Sequence, residues 1–303
     1  MSSMMLGRLL GASAALALAA CGGGGGGGLV STPTPMPTPT PTPTPTPAGS
    51  PAIFPAITTN TNFAVLGLEA DAHNTPASAL ARNGFSVRYD SAAQGYFIDL
   101  PSTDEFQFES SSENAAYWTG FAATGFYTGT IVNVFKPRAT NPEIQLTYTS
   151  FGVSTGYYTT QYGFFAFGSA TPGSGVPVTG TATYDAFVRG GTLNSFAIIG
   201  GNATLQFNFG AGTLGGHFDP THELNGVVTS LGRYDFVNTV FGVGSTTYSG
   251  SLSRSGINTL GAFDGRFTGP AAQELMARWT APYLPPGSQQ VGEMFGVWVG
   301  KKQ

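Results

Sequence analysis

The fourteen residues Gly261-Ala-Phe-Asp-Gly-Arg-Phe-Thr-Gly-Pro-Ala-Ala-Gln-Glu274 constrain the fold more than any other stretch of the chain. Successive residues of a strand face opposite sides, so Gly261, Phe263, Gly265, Phe267 and Gly269 share one face, and Ala262, Asp264, Arg266 and Thr268 the other. One face alternates a ring with no side chain at all; the other carries charge. Such a face suits the inside of a small closed barrel, where rings fill the lumen and glycines leave room for rings from neighbouring strands. Pro270 has no backbone donor and ends the pairing. Residues 291–300 repeat the device, with Gly292, Met294, Gly296, Trp298 and Gly300 on one face.

The rest of the chain has the same character. Charged residues make up only 9% and aromatic residues 13%, with glycine at 44 of 303 positions, the profile of an all-β protein. Eight strand candidates, at 162–167, 180–189, 204–209, 214–218, 226–231, 246–254, 261–268 and 291–300, predict an eight-stranded antiparallel β-barrel filled by side chains over residues 159–303. Residues 271–278 read as a short helix that plugs one end, anchored by Trp279. Gln206, Asn208, Asp264, Arg266 and the serines of 249–253 interrupt the apolar outer band that a lipid-facing barrel needs, so the predicted barrel is soluble.

Ahead of it, residues 59–158 read as a smaller, mostly β handle domain. Phe85, Val87 and Tyr89 alternate with polar residues and lead across a turn at 90–95 to Tyr96, Ile98 and Leu100, a hairpin pattern. Further strands are predicted at 106–108, 125–135 and 144–148, with at most two helical turns at 76–83.

The first twenty residues form a lipoprotein signal peptide: Arg8 supplies the positive region, residues 9–20 an apolar segment too short to span a bilayer, and small residues precede Cys21. Leu18-Ala19-Ala20-Cys21 resembles the bacterial lipobox, which implies acylation of Cys21 and attachment to outer-membrane lipid. Gly22 is not the aspartate that holds lipoproteins in the inner membrane, so the outer membrane is the expected location. Residues 21–58 then read as a disordered tether, a glycine run at 22–28 followed by alternating proline from 33 to 47. As a polyproline II rod the Thr-Pro repeat would reach about 50 Å, at roughly 3.1 Å per residue. The net charge of −4 offers no basic surface, which excludes nucleic-acid binding.

Several stretches carry a resemblance. Gly180-Thr-Ala-Thr-Tyr184, Ala203-Thr-Leu-Gln-Phe-Asn-Phe-Gly210 with Leu214 to Gly216 after it, the 261–274 run and the glycine-rich, lysine-closed 296–302 together resemble the transferrin-binding protein B family of surface lipoproteins, specifically one handle-plus-barrel lobe. The resemblance is good over about 160–303 and weaker over 60–160. After Glu274 this chain has Leu275-Met276-Ala277-Arg278-Trp279 where the family continues with a glycine pair, a departure that bears on the local turn. The resemblance implies a non-enzymatic outer-membrane protein, exposed at the cell surface, that captures an extracellular iron carrier or haem source for a partner TonB-dependent transporter. The other reading is a surface adhesion or shielding lipoprotein with no role in iron. The family's shared residues build the barrel, so no ligand-binding residue carries over.

Patterns suggestive of chemistry are accounted for by turns and strands. Gly152-Val-Ser-Thr-Gly156 matches a hydrolase nucleophile elbow, but an aromatic strand-like run follows Ser154 in place of the required helix. Gly210-Ala-Gly-Thr-Leu-Gly215 matches a dinucleotide fingerprint without the helix whose N-terminus would receive a pyrophosphate, and reads as a hairpin turn. His217, His222 with Glu223, and His73 with Asp71 lack the spacing of a metal set, with Asp219-Pro220 read as loop. A histidine or tyrosine as haem ligand remains open. No catalytic residue, metal or resident cofactor is expected.

Overall fold

The computed structural model describes residues 53–54, 57–71, 80–108, 112–113, 117–124, 128–137, 141, 143–156, 161–193 and 197–303. The signal peptide, Cys21, most of the tether, His73, residues 76–79 of the predicted turns at 76–83 and residues 125–127 lie outside them; residues 80–83 are described and form no helix, Ala81 bridging to Glu69 instead. The described residues form nineteen strands in three sheets, with one 3-10 turn at Gly173–Gly175.

The first sheet has the order β1 (Thr61–Asn62), β3 (Ser86–Asp90), β4 (Gly95–Leu100), β5 (Thr103–Phe108). The predicted hairpin is its centre: Asp90 pairs with Gly95, and the Asp90 carboxylate accepts the N–H groups of Ala92 and Ala93 at 2.8 and 3.0 Å, closing the turn. The second sheet runs β2 (Ala64–Asp71), β10 (Gln161–Gly168), β9 (Thr149–Gly156), β8 (Thr128–Phe135), β7 (Tyr117–Thr124), β6 (Ser112–Glu113). The third is the barrel: β12 (Ile198–Asn208), β11 (Thr181–Thr192), β19 (Gly292–Lys302), β18 (Glu274–Tyr283), β17 (Gly261–Thr268), β16 (Thr247–Ser253), β15 (Tyr234–Val240) and β13 (Thr213–Leu224), closed by the pairing of β12 with β13. A ninth strand, β14 (Val227–Ser230), continues from β13 by a hairpin.

The barrel is therefore all antiparallel and eight-stranded, as expected, but with two members exchanged. Residues 162–167 lie in β10, between β2 and β9 of the second sheet, so that sheet extends past residue 158. Residues 226–231 contribute only the short strand β14, which pairs with the end of β13 on the same edge as β15. Their places are taken by β15 and by β18, and the latter replaces the helix predicted at 271–278. Residues 144–148 form no strand; they lead into β9. The tether also ends sooner than 58, because Ile53 and Phe54 are buried against the first two sheets, where the Phe54 N–H donates to the Tyr96 hydroxyl at 3.0 Å.

Inside the barrel the glycine/aromatic face behaves as its pattern demands. Phe263 and Phe267 point into the lumen, and Tyr248 lies over Gly265 so closely that a Cβ there would sit 2.4 Å from its ring. Phe263 covers Gly250, and the Trp279 indole covers both Gly190 and Gly296. Ring follows ring through the lumen: Phe207 and Phe267 centroids are 4.8 Å apart, Phe218 and Trp279 4.9 Å, Phe236 and Phe263 4.7 Å. Buried hydroxyls find carbonyls, Tyr184 on Ala272 at 2.5 Å and Tyr234 on Pro282 at 2.7 Å.

The layers stack in one direction. Phe295, Val297 and Val299 leave the barrel wall opposite to Met294 and Trp298 and pack with Phe164, Ala166 and Phe151 of the second sheet. Phe165 and Phe167, on the other face of β10, pack with Val87, Tyr96 and Ile98 of the first sheet. β10 and β19 are thus buried on both faces, which explains their almost unbroken apolar sequences.

Candidate binding rim

The two ends of the barrel differ in what meets them. One end collects the starts of β11, β16 and β18 and the ends of β12, β17 and β19, and it is occupied by the handle. Glu274, the last residue of the 261–274 run, is buried there and its carboxylate accepts the N–H groups of Thr147 and Tyr148 at 2.6 and 2.9 Å. Burial pushes this carboxyl above the ordinary carboxylate range, against the pull of those N–H donors. The Thr149 and Thr268 hydroxyls meet at 2.6 Å, Thr171 donates to the Gly269 carbonyl at 2.7 Å, and the Tyr148 ring lies over Gly269, whose φ of +82° suits glycine. Ile53 lines the cleft beside Glu274, Lys301 and Lys302, so the described chain enters at this same end. A few residues along the same joint, Arg278 grips Asp264 through its Nε at 3.0 and 3.1 Å and donates Nη1 to the Arg82 carbonyl at 2.9 Å.

The handle reaches the opposite end only along one side of the barrel, where the buried Tyr162 hydroxyl donates to the Thr192 carbonyl and Leu193 packs with Leu68 and Ala70. Six of the nine exposed large apolar side chains among the described residues lie there: Ile198, Leu224, Val227, Val228, Leu260 and Val291. The other three, Val178, Val240 and Val243, sit at the handle end. At the free end a cleft of about 510 Å³ opens between β13, β14 and the connection from β18 to β19. Leu193, Leu224, Val227 and Val291 supply its apolar wall, and Pro285 and Pro286 stiffen the connection, lacking the donors to continue a strand. Its floor is His222 stacked on Tyr283, ring centroids 5.9 Å apart and planes 29° apart. Burial pushes the His222 pKa down, which keeps the imidazole neutral near pH 7.

The structure separates the residues that sequence patterns put together. His217 and His222 both lie on β13, which runs straight through Asp219-Pro220 as strand where a loop was expected. Their odd spacing puts them on opposite faces: His217 points outward, Nε2 3.4 Å from Asp219, and His222 points inward. Glu223 follows on the outward face. Among the described residues no three histidine, cysteine or acidic side chains gather as a metal set. Ser154 is buried in the middle of β9, paired with Gly163 and Val132, and the strand continues through Thr155 and Gly156 in place of an elbow helix. Residues 209–212 form the β12–β13 turn, capped by the Asn208 side chain accepting the Ala211 N–H at 2.9 Å, so the 210–215 glycines serve a hairpin. The rim itself escaped sequence reading because its residues come from four separate connections. The one local signal was the apolar pair Val227-Val228 beside Asn225-Gly226.

The chain matches no family model and no curated protein sequence. Among solved structures it is similar to transferrin-binding protein B from Haemophilus parasuis Hp5, a double mutant, at 15% identity and a TM-score of 0.49 over 79% of this chain and 45% of that one. It is similar to intact Ap-TbpB with its N and C lobes, at 14% identity and a TM-score of 0.46 over 79% of this chain and 46% of that one. The N-lobe of lactoferrin-binding protein B from Moraxella bovis aligns at 15% identity and a TM-score of 0.33, over 82% of this chain and 100% of that one. The chain thus spans about half the length of the two transferrin-binding protein B chains and the whole of the lactoferrin-binding protein B lobe.

Proposed function

We propose that this chain is a non-enzymatic, lipid-anchored outer-membrane protein that captures an extracellular iron carrier or haem source on the free rim of its barrel and presents it to a partner transporter. The observation that carries the binding role is the contrast between the barrel's ends. The lumen is filled by rings, so a ligand is met at a surface, and the exposed apolar side chains concentrate on the end opposite the entry at Ile53. A tether from an acylated Cys21 would join the lobe at Ile53, at the end away from that rim. The class of partner rests on the motif resemblance of 261–274 and its companion stretches to the transferrin-binding protein B family.

Two experiments test this reading. Beads carrying iron-loaded transferrin, haemoglobin or haem are incubated with solubilised membranes of iron-starved cells that express the chain; retention on one of the three supports iron capture, and retention on none contradicts it. Cys21→Ser is expected to abolish labelling by palmitate and to release the chain from the outer-membrane fraction; a variant that stays there unlabelled contradicts lipid anchorage.

A further inference from the structure

The barrel sheet closes on itself except at one strand. β14 pairs with β13 on one side, and among the described residues no strand pairs with its other side. The turn that joins them is Leu224-Asn225-Gly226-Val227, with φ of +52° at Asn225 and +78° at Gly226, the two-residue type I′ geometry that suits the twist of a hairpin. Such a turn fixes which backbone groups are used. The flanking residues Leu224 and Val227 exchange hydrogen bonds, as do His222 and Thr229 two steps on, while Glu223/Val228 and Thr221/Ser230 are the non-bonded pairs. The N–H and C=O groups of Val228 and Ser230 therefore point away from β13, along the open edge.

Open edges are ordinarily blunted by charge, proline or cover. This one is not. From Leu224 to Gly232 the sequence has neither a charged residue nor a proline, and Val227 and Val228 are 65% and 60% exposed. The edge is also complementary to itself. Two antiparallel copies related by a two-fold axis, with Val228 of each opposite Ser230 of the other and Thr229 opposite its own counterpart, satisfy every outward backbone group of both residues in both copies. Glu223, the nearest charge on the Val228 face, stays one strand back, so no like charges are set side by side.

We propose that β14 is a self-association edge, on which a second copy of this chain adds its own β14 antiparallel and continues the sheet from one barrel to the next. The pairing stands apart from the capture of an iron carrier. His222, Leu224, Val227 and Thr229 share the cleft face, and the pairing direction lies in the plane of the sheet, so the cleft stays accessible. Chains anchored to one surface would meet at raised effective concentration, which favours a short interface of this kind.

Disulfide trapping in the full chain on intact cells tests the proposal. In the proposed register the two Thr229 residues form a non-bonded pair with Cα atoms about 4.5 Å apart, within disulfide reach. Thr229→Cys, oxidised with copper-phenanthroline, is expected to give several-fold more cross-linked dimer than Ala211→Cys, an exposed site at the other barrel end. Adding Val228→Pro removes the outward donor and leaves the β13 ladder intact, so the dimer is lost while abundance and melting temperature hold. If that variant fails to accumulate, Val228→Lys, which sets like charges near each other across the edge, takes its place with the same expected loss. No excess over Ala211→Cys, or a dimer that survives in the accumulating edge variant, overturns the proposal.

Discussion

A Cβ at Gly265 would lie 2.4 Å from the Tyr248 ring, and one at Gly296 would lie 2.3 Å from the Arg189 carbonyl oxygen. The two glycines meet different neighbours. At Gly265 the neighbour is the far end of a side chain, not backbone, so Gly265→Ala is expected to lose about 1–3 kcal/mol by overpacking. The carbonyl at Gly296 belongs to the β11 ladder and has nowhere to go without breaking it. Gly296→Ala is therefore expected to be the more damaging, read as the larger fall in the denaturant midpoint; equal midpoints would contradict the packing described. These residues were legible in the sequence, because large-then-absent alternation has few other uses in a strand. Trp279 was legible only as an anchor. That it is clamped between Gly190 and Gly296 depends on strand neighbours some 17 and 89 positions away in the chain, which no local pattern encodes.

β18 shows why one element was misread. Its sequence, Glu-Leu-Met-Ala-Arg-Trp-Thr-Ala-Pro-Tyr, is rich in residues that favour helices, and burial on both faces removes the period of two. Leu275 and Trp279 face the lumen while Met276 faces the second sheet, so the run looks uniformly apolar. The same cause hid the true place of β10. The first residue of β18, Glu274, bolts the handle to the barrel, and its effect on stability depends on pH. Its folded pKa lies above the ordinary 4.5, so the folded state binds more protons in that interval and stability falls as pH rises through it. Glu274→Gln keeps one acceptor oxygen of two and is expected to cost roughly 1–3 kcal/mol. Because glutamine does not titrate, the margin of the native chain over this variant should be largest below pH 4.5 and shrink as pH rises through the folded value. A margin that grows with pH over that range, in urea titrations, would contradict the assignment.

At the scale of the whole molecule, the run from Gly261 to Glu274 turns out to serve two joints, the packing of the lumen and the attachment of the handle. The class of fold and the number of barrel strands followed from that run and its companions. The stacking order did not, because it is written in which face of β10 and β19 meets which layer. The rim was least legible of all, being assembled from loops that share no pattern. Its position is nonetheless defined: one barrel end is joined to the handle through Glu274, Thr268 and Gly269, the described chain enters there, and the proposed rim lies at the opposite end. The central claim is that the partner is met on that rim, and charge placed at the two ends tests it most directly. Leu224→Glu with Val291→Glu at the free rim, and Val240→Glu with Val243→Glu at the handle end, are compared for retention on beads carrying the iron carrier that retains the native chain. The rim pair is expected to abolish retention and the handle-end pair to leave it unchanged; loss with the handle-end pair and retention with the rim pair would contradict the account.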